Sequence, residues 1–438
     1  MFPVAGGVRV TARVKAPRLW GMPSDRWRFQ TAWQTRAGVG FDEVCCCRTS
    51  LPERAGSEST EILVDIHGWK QASQLLNEVT GAWIDCLPVR DKILGMESGT
   101  SGNRRISPVF VVGCHRSGTN LLYDMLLSAG GFAVYRGLLP VFETLIPHFG
   151  SLEHRSNREK VVATWLRSYG FRCTGLDPEQ LKSRILSECR TGGDFIRVVM
   201  DSVAQNQAVE RWAVYGPDNV LQIEQLKADI PNALFLHIIR DGRDIALSLT
   251  KMRGFTPLPW DRGQTPSLVA TALYWEWMVH NGRKGGSKFP ADYMELHYED
   301  LTTNPRETLR KLSGFLDHDL DFDRIRQVGL GRLSESNSSF REEEEEVKPL
   351  GRWRQRLSRA DVAALEAAVG HCLEQTGYAL SVPEGERRPG MSEWGKRALY
   401  RGYLDGKLWL KRNTPAGRLA TLSALELETG PAIESATM

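Results

Sequence analysis

Two glycines five positions apart, Gly113 and Gly118, frame the stretch "VFVVGCHRSGTN" at 109–120. An apolar run that enters a glycine turn and then a helix has the form of a loop whose backbone amides cradle phosphate oxygens. A loop for ATP would follow the second glycine with a lysine for the outer phosphates and a Ser/Thr for Mg²⁺. Here Thr119 and Asn120 hold those positions, and the cation, Arg116, lies inside the loop. That set suits an anion shorter than a triphosphate, bound without a metal.

A second cluster points the same way. "ALFLHII" at 233–239 reads as a buried strand, "RDGRD" as a turn and "IALSLTKM" as the next helix. Arg240 therefore ends a strand and Ser248 follows eight residues later, two turns into the helix. An arginine at a strand's carboxyl edge beside a helix N-terminus can grip a phosphate bidentately. Taken alone, the stretch would also accommodate a plain Arg240–Asp244 surface pair. Both clusters in one chain argue for a phosphate site.

These residues need a scaffold, and the rest of the chain supplies its pattern. The strand–loop–helix unit at 109–131 is followed by the unit at 233–250. A third strand is expected at "YMELHYEDL" (293–301), then a helix at "PRETLRKLSGFL" with Pro305 in its first turn. Residues 358–378 form an amphipathic helix: Ser358 and Asp361 make a capping box, Val362, Leu365, Val369, Cys372 and Leu373 one stripe, and Gly377 the stop. The alternation implies an α/β fold of the P-loop type, a mainly parallel sheet covered by helices on both faces. N-terminal and C-terminal additions flank it. Residues 1–107 hold strand-like pieces at 8–14 and 60–69, a helix near Gln71–Trp83 and a Gly/Ser-rich linker at 95–108. Residues 108–381 form the α/β domain. Residues 382–438 form a helix and, from about Thr414, a disordered tail.

With 438 residues, 41% hydrophobic and 25% charged, the chain reads as globular, and a net charge of +3 is too small for a general nucleic-acid binder. No apolar run reaches membrane-spanning length and no secretory leader is evident, so the expected setting is cytoplasmic. The Cys45–Cys47 cluster lacks metal-ligand spacing and reads as reduced thiols, against which the Asn337–Ser339 sequon weighs weakly. The run Glu342–Glu346 reads as a solvated face.

The paired motifs resemble those of the sulfotransferases that use 3′-phosphoadenosine 5′-phosphosulfate (PAPS). "GCHRSGTNLL" is similar to their 5′-phosphosulfate loop and "LHIIRDGRDIALSL" to their 3′-phosphate motif. "YMELHYEDLTTNP" and "PLGRWRQRLSRADVAALEAAVGHCLEQTGY" resemble their later segments. The likeness covers about 108–380 and leans to the bacterial and tyrosylprotein-type branch, through arginine rather than lysine in the loop. It implies PAPS as co-substrate, PAP as product and no metal. It implies that Arg116, with the amides of Ser117, Gly118, Thr119 and Asn120, binds the phosphosulfate, and that Arg240 and Ser248 take the 3′-phosphate. Tyr298 corresponds to a tyrosine near the adenine, though it reads equally as a core aromatic. Arg352 before Trp353 closes over the nucleotide, with Lys348 or Ser338 assisting. Asn120 departs from the usual second threonine, and "WAVYGPDNV" has Tyr215 where the family often has a lysine two residues before Pro217.

An acceptor oxygen loses its proton as it attacks, so a base is required. Glu143 and His148 are the nearest candidates after the first helix, and His115 is a third. Arg116 is the group to neutralise charge on the leaving phosphate. Residues 1–94 and 140–215 are expected to shape the acceptor cleft, with small-molecule, glycan and lipid acceptors all open. A small-molecule kinase and a non-catalytic PAP(S)-binding regulator are the competing readings. The segment 391–412 mixes Trp394, Tyr400, Tyr403 and Trp409 with Lys and Arg. It reads first as a helix packed on the domain, and second as a basic amphipathic helix for a membrane surface or an acidic acceptor.

Overall fold

The computed structural model describes residues 104–252, 266–329, 350–387, 391–419 and 422–427, residues 255 and 257, and four short strands before these. Residues 1–101 and 102–438 are separate units. In the first, β1 (Arg9–Ala12) pairs antiparallel with β2 (Phe29–Ala32), and β3 (Cys45–Arg48) with β4 (Glu61–Val64). The strands expected at 8–14 and 60–69 are present in shorter form, and the cysteine cluster lies in β3. The helix expected near 71–83 lies outside the described residues, as do Ser338, Lys348 and the glutamate run.

The second unit is built on five parallel strands: β5 (Val109–Val112), β6 (Phe132–Ala133), β7 (Arg211–Tyr215), β8 (Leu234–Ile239) and β9 (Tyr293–His297). They lie in the order β6-β7-β5-β8-β9, all parallel. The first strand of this sheet is thus central. After β5 the chain forms the edge strand β6, returns to place β7 between it and β5, and then crosses to β8 and β9 on the other side, so β5 borders the crevice where the direction of winding reverses. Such crevices, outside the strands' carboxyl ends, are where open α/β sheets bind ligands.

The two-residue period of β5 explains why the sheet is covered on both faces. Val109 and Val111 pack with Leu121, Leu122 and Leu126 of the helix Thr119–Ser128 and with Leu309 and Leu312 of the helix Pro305–Leu316. Phe110 and Val112 point the other way, among Val199 and Val203 of the helix Gly192–Asn206 and Trp275 and Met278 of the helix Leu268–Gly286. Phe110 stacks on Phe235 at 5.4 Å between ring centroids and meets Trp212 edge-on at 5.8 Å. Removing a ring so enclosed costs about 3–5 kcal/mol.

The helix Arg359–Gln375 has the anticipated capping box between Ser358 and Asp361, and its stripe of Val362, Leu365, Val369, Cys372 and Leu373 is buried. Gly377 follows in the left-handed region, φ +83°. The third strand is shorter than expected. β9 stops at His297 and Tyr298–Thr303 is helical. The Glu299 carboxylate accepts the Asp241 N–H at 3.1 Å and the Tyr378 hydroxyl at 2.7 Å, tying that turn to the end of β8.

A single helix, Met391–Asn413, spans the C-terminal aromatic and basic segment. Beyond it, where disorder was expected, 415–419 and 423–425 form 3₁₀ turns and Leu425 is buried. Among the described residues no helix is long and apolar enough to cross a membrane.

Candidate active site

The loop after β5 turns on Gly113, φ +153°, and Gly118, φ +104°. At Gly113 a Cβ would stand 2.5 Å from the Ile238 carbonyl oxygen, and at Gly118 it would collide with the Tyr298 ring. Glycine is thus required at both by conformation and by space. Arg116 also adopts the left-handed region, φ +70°, a strained placement for a residue with a Cβ. The loop closes on itself, for the Ser117 amide and hydroxyl both donate to the Cys114 carbonyl, at 3.1 and 2.6 Å. The following helix has no side-chain cap, so its first amides and the positive end of its dipole face the crevice.

From that loop Arg116 reaches across 132 residues of sequence: its Nε donates to Ser248 Oγ at 3.1 Å. Arg240, directly after β8, lies over the Tyr298 ring at 4.2 Å and 3.5 Å from the Asp244 carboxylate. Asp244 is fully buried and also accepts the amides of Gly351 and Trp353, each at 3.0 Å, which draws Arg352 to the same edge. Beneath it Arg243 is clamped between Asp241 (2.8 Å) and Glu366 (2.7 Å), with its guanidinium 3.9 Å over the Trp353 ring.

Three cations thus converge. Burial, then Arg240 and Arg352, lower the pKa of Arg116 from its ordinary value. The Nε atoms of Arg240 and Arg352 are buried with no hydrogen-bond partner among the described residues. Buried donors are normally satisfied, and excess positive charge with orphaned N–H groups is the signature of an anion site. The residues fit a nucleotide bearing separate phosphate groups.

Beside this edge lies a cavity of about 880 Å³. Its apolar lining includes Leu138, Leu139, Pro140, Ile196 and Val214, and its polar groups include His115, Glu143, Tyr215 and Asp218. His115 Nε2 is 3.7 Å from Asp218 Oδ1. The two carboxyls are pushed apart in acidity. Burial and the nearby Asp218 charge drive Glu143 up to about 8. Burial works against ionisation of Asp218 as well, but His115, Lys411 and Lys407 outweigh it and hold that carboxyl below its usual range. Divergent carboxyls in one site divide acid from base roles.

The family comparison can be set beside this geometry. Residues 108–323 match the family model described as "Sulfotransferase family". This segment is similar to the sulfotransferase family. Mouse sulfotransferase 1B1 is 26% identical over 98 residues, which take in 21% of this chain and 33% of the mouse protein. Among solved structures, the sulfotransferase domain of the Synechococcus PCC 7002 olefin synthase aligns over 63% of this chain and 96% of its own, at 18% identity and a TM-score of 0.43. The sulfotransferase domain from the curacin biosynthetic pathway aligns over 63% and 99%, at 16% identity and a TM-score of 0.41.

Within the second unit the structure brings together Arg116, Ser117, Gly118, Thr119, Arg240, Ser248, Tyr298 and Arg352. Asn120 is exposed at the helix start, where its Oδ1 lies 3.5 Å from the Thr119 hydroxyl. Tyr298 is 5% exposed, with Arg240 on its face and Gly118 at its edge, so it braces both. Glu143 and His115 face the cavity, whereas His148 is not among the lining residues and packs its ring on Phe149 at 4.6 Å. Of the segment 140–215 only its ends and Ile196 reach the cavity. Sequence reasoning missed Asp218, which had a signal, since it follows the end of β7 in "YGPDN". The C-terminal helix, read first as packed on the domain and second as a grip for a membrane or an acidic acceptor, both packs on the domain and lines the cavity, the latter through Tyr403, Lys407 and Lys411. That helix is also latched to the domain. Trp277 Nε1 donates to Asp405 at 2.7 Å, Arg397 pairs with Glu276, Arg401 bonds His280, and Arg412 donates to the Leu221 carbonyl at 2.8 Å.

Proposed function

We propose that this chain transfers a sulfuryl group from PAPS to a hydroxyl or amine of a small, largely apolar acceptor and releases PAP. The observation that carries the reading is the meeting of Arg116, Arg240 and Arg352 with Ser248 at the carboxyl ends of β5 and β8, in a loop without the ATP-binding lysine. PAPS supplies an activated sulfuryl group joined through oxygen to its 5′-phosphate. The uncapped amides at Gly118, Thr119 and Asn120, with Arg116, would hold that end. Arg240 and Ser248 would hold the 3′-phosphate, and Arg352 would cover the nucleotide.

Arg116 stands between the phosphate edge and the cavity, next to His115. There its charge offsets the negative charge that builds on the departing phosphate oxygen as the acceptor's O–S or N–S bond forms and the old S–O bond breaks. The acceptor's proton passes to a cavity base. Glu143 is our assignment, because it faces the cavity and its acidity is tuned near the neutral range. His115, paired to Asp218, is the second candidate, and His148 is set aside. The apolar lining favours a small-molecule or lipid-like acceptor over a glycan, whose hydroxyls would meet few partners there.

Calorimetric titration with PAP and AMP tests the cofactor assignment. One charge-assisted contact is worth about 1.5–3 kcal/mol, so PAP should bind at least about tenfold tighter. Equal affinities would sink it. Turnover of labelled PAPS then separates an enzyme from a binding protein, and a Mg²⁺-dependent ATPase assay separates it from a kinase.

A further inference from the structure

The cavity's outer wall is a stretch of the C-terminal helix that carries two glycines one turn apart, Gly402 and Gly406. Glycine inside a helix costs stability, because the unfolded chain loses more freedom than it would with alanine. Neither position needs glycine for packing. A Cβ built at either would find nothing within 4 Å. Both nonetheless line the cavity, along with Tyr403, Lys407, Leu410 and Lys411 of the same helix. The opposite face is committed to the domain through Leu404, which is buried, and through the Asp405–Trp277, Arg397–Glu276 and Arg401–His280 latches. The helix is therefore a held wall with a groove cut into its inner side.

We propose that Gly402 and Gly406 set the size of acceptor the cavity admits: the groove they leave receives the apolar body of a bulky acceptor, while its reacting group points to Glu143 and His115. The inference rests on the sulfotransferase reading for the chemistry but on the helix geometry for the fit. A leucine at 406 would place its side chain in the groove, and leucine is the better helix former. It should shrink the cavity without weakening the fold. Gly395 supplies the control. It lies on the same helix, is exposed, has nothing within 4 Å of a built Cβ and does not line the cavity.

The test compares phenol with 4-octylphenol on the full-length chain. Turnover is measured with PAPS, and binding is measured by calorimetry in the presence of PAP. Gly406→Leu should lower kcat/KM and affinity for 4-octylphenol by about tenfold or more, the discrimination a pocket draws from small steric changes. It should leave phenol turnover, PAP affinity and Tm near their starting values, and Gly395→Leu should change none of these. Equal losses for both phenols, or no loss for either, would overturn the proposal. If 4-octylphenol binds the intact protein and Gly406→Leu weakens it, but no sulfate is transferred, the size gate stands and the sulfotransferase reading falls.

Discussion

The cationic edge and the cavity lie side by side but are built by different rules. The edge is made of three short stretches, 113–120, 240–248 and 351–353, each carried on the carboxyl end of a strand or held by the buried carboxylate of Asp244. Its groups are charged, and buried charge tolerates little displacement, so the Asp244 carboxylate, the Arg116–Ser248 bond and two glycine turns fix much of its geometry. The cavity is assembled from segments of five regions, from His115 to Ala424, and most of its surface is apolar. Apolar contact is non-directional, so many side-chain sets would make an equivalent wall. Charge geometry makes the first region recognisable, and apolar shape dominates the second.

The contrast can be broken most sharply at Arg116. Arg116→Ala should lower kcat by about 10²–10³-fold, the usual cost of losing a group aimed at developing charge, while PAP binding persists. Near-normal turnover would demote Arg116 to a structural loop residue. Glu143→Gln comes next, with a loss of about 10²-fold expected for a general base. In the intact protein activity should rise with pH through about 8, as the carboxyl ionises, and the variant should lose that limb. The same raised pKa has a stability consequence. The native state favours protonated Glu143, so its contribution is complete below the ordinary carboxyl range and is lost as pH climbs through about 8. Thermal melts from pH 5 to 9 should fall less for Glu143→Gln than for the intact chain.

A smaller effect is expected at the edge's second cation. Arg240→Ala should weaken PAP about tenfold and AMP much less, as seen by titration of each. Comparable loss for both nucleotides would mean that Arg240 does not read a 3′-phosphate. The smallest effect belongs to the helix latch. Asp405→Asn removes the carboxylate that accepts from Trp277 Nε1 but keeps an amide oxygen to take the bond, so a stability loss of about 1 kcal/mol or less is expected by denaturant titration. A loss several times larger would show that the C-terminal helix holds the domain together rather than merely covering it.

Much of the edge was legible in the chain because its chemistry is local. Gly113 and Gly118, Arg116, and the Arg240–Ser248 spacing each declare a requirement of backbone shape or charge within a dozen residues. The capping box of Ser358 and Asp361 is legible for the same reason. The run 293–301 misled because its strand and helix halves share one apolar pattern, and the Glu299 contacts that divide them come from residues far along the chain. His148, proposed for its proximity in sequence to Glu143, packs its ring on Phe149 and is not among the residues lining the cavity.

By itself the sequence determined that a parallel α/β sheet would carry a glycine-turned loop at one strand's end, with Arg116 in that loop and Arg240 after a second strand, since strand period, glycine turns and charge are short-range properties. Only the tertiary structure decided that Asp218 would stand beside His115, that Asp244 would draw Arg352 to the edge, and that Gly402 and Gly406 would form a cavity wall. Those juxtapositions depend on packing between elements more than a hundred residues apart. No local propensity encodes which apolar faces will meet.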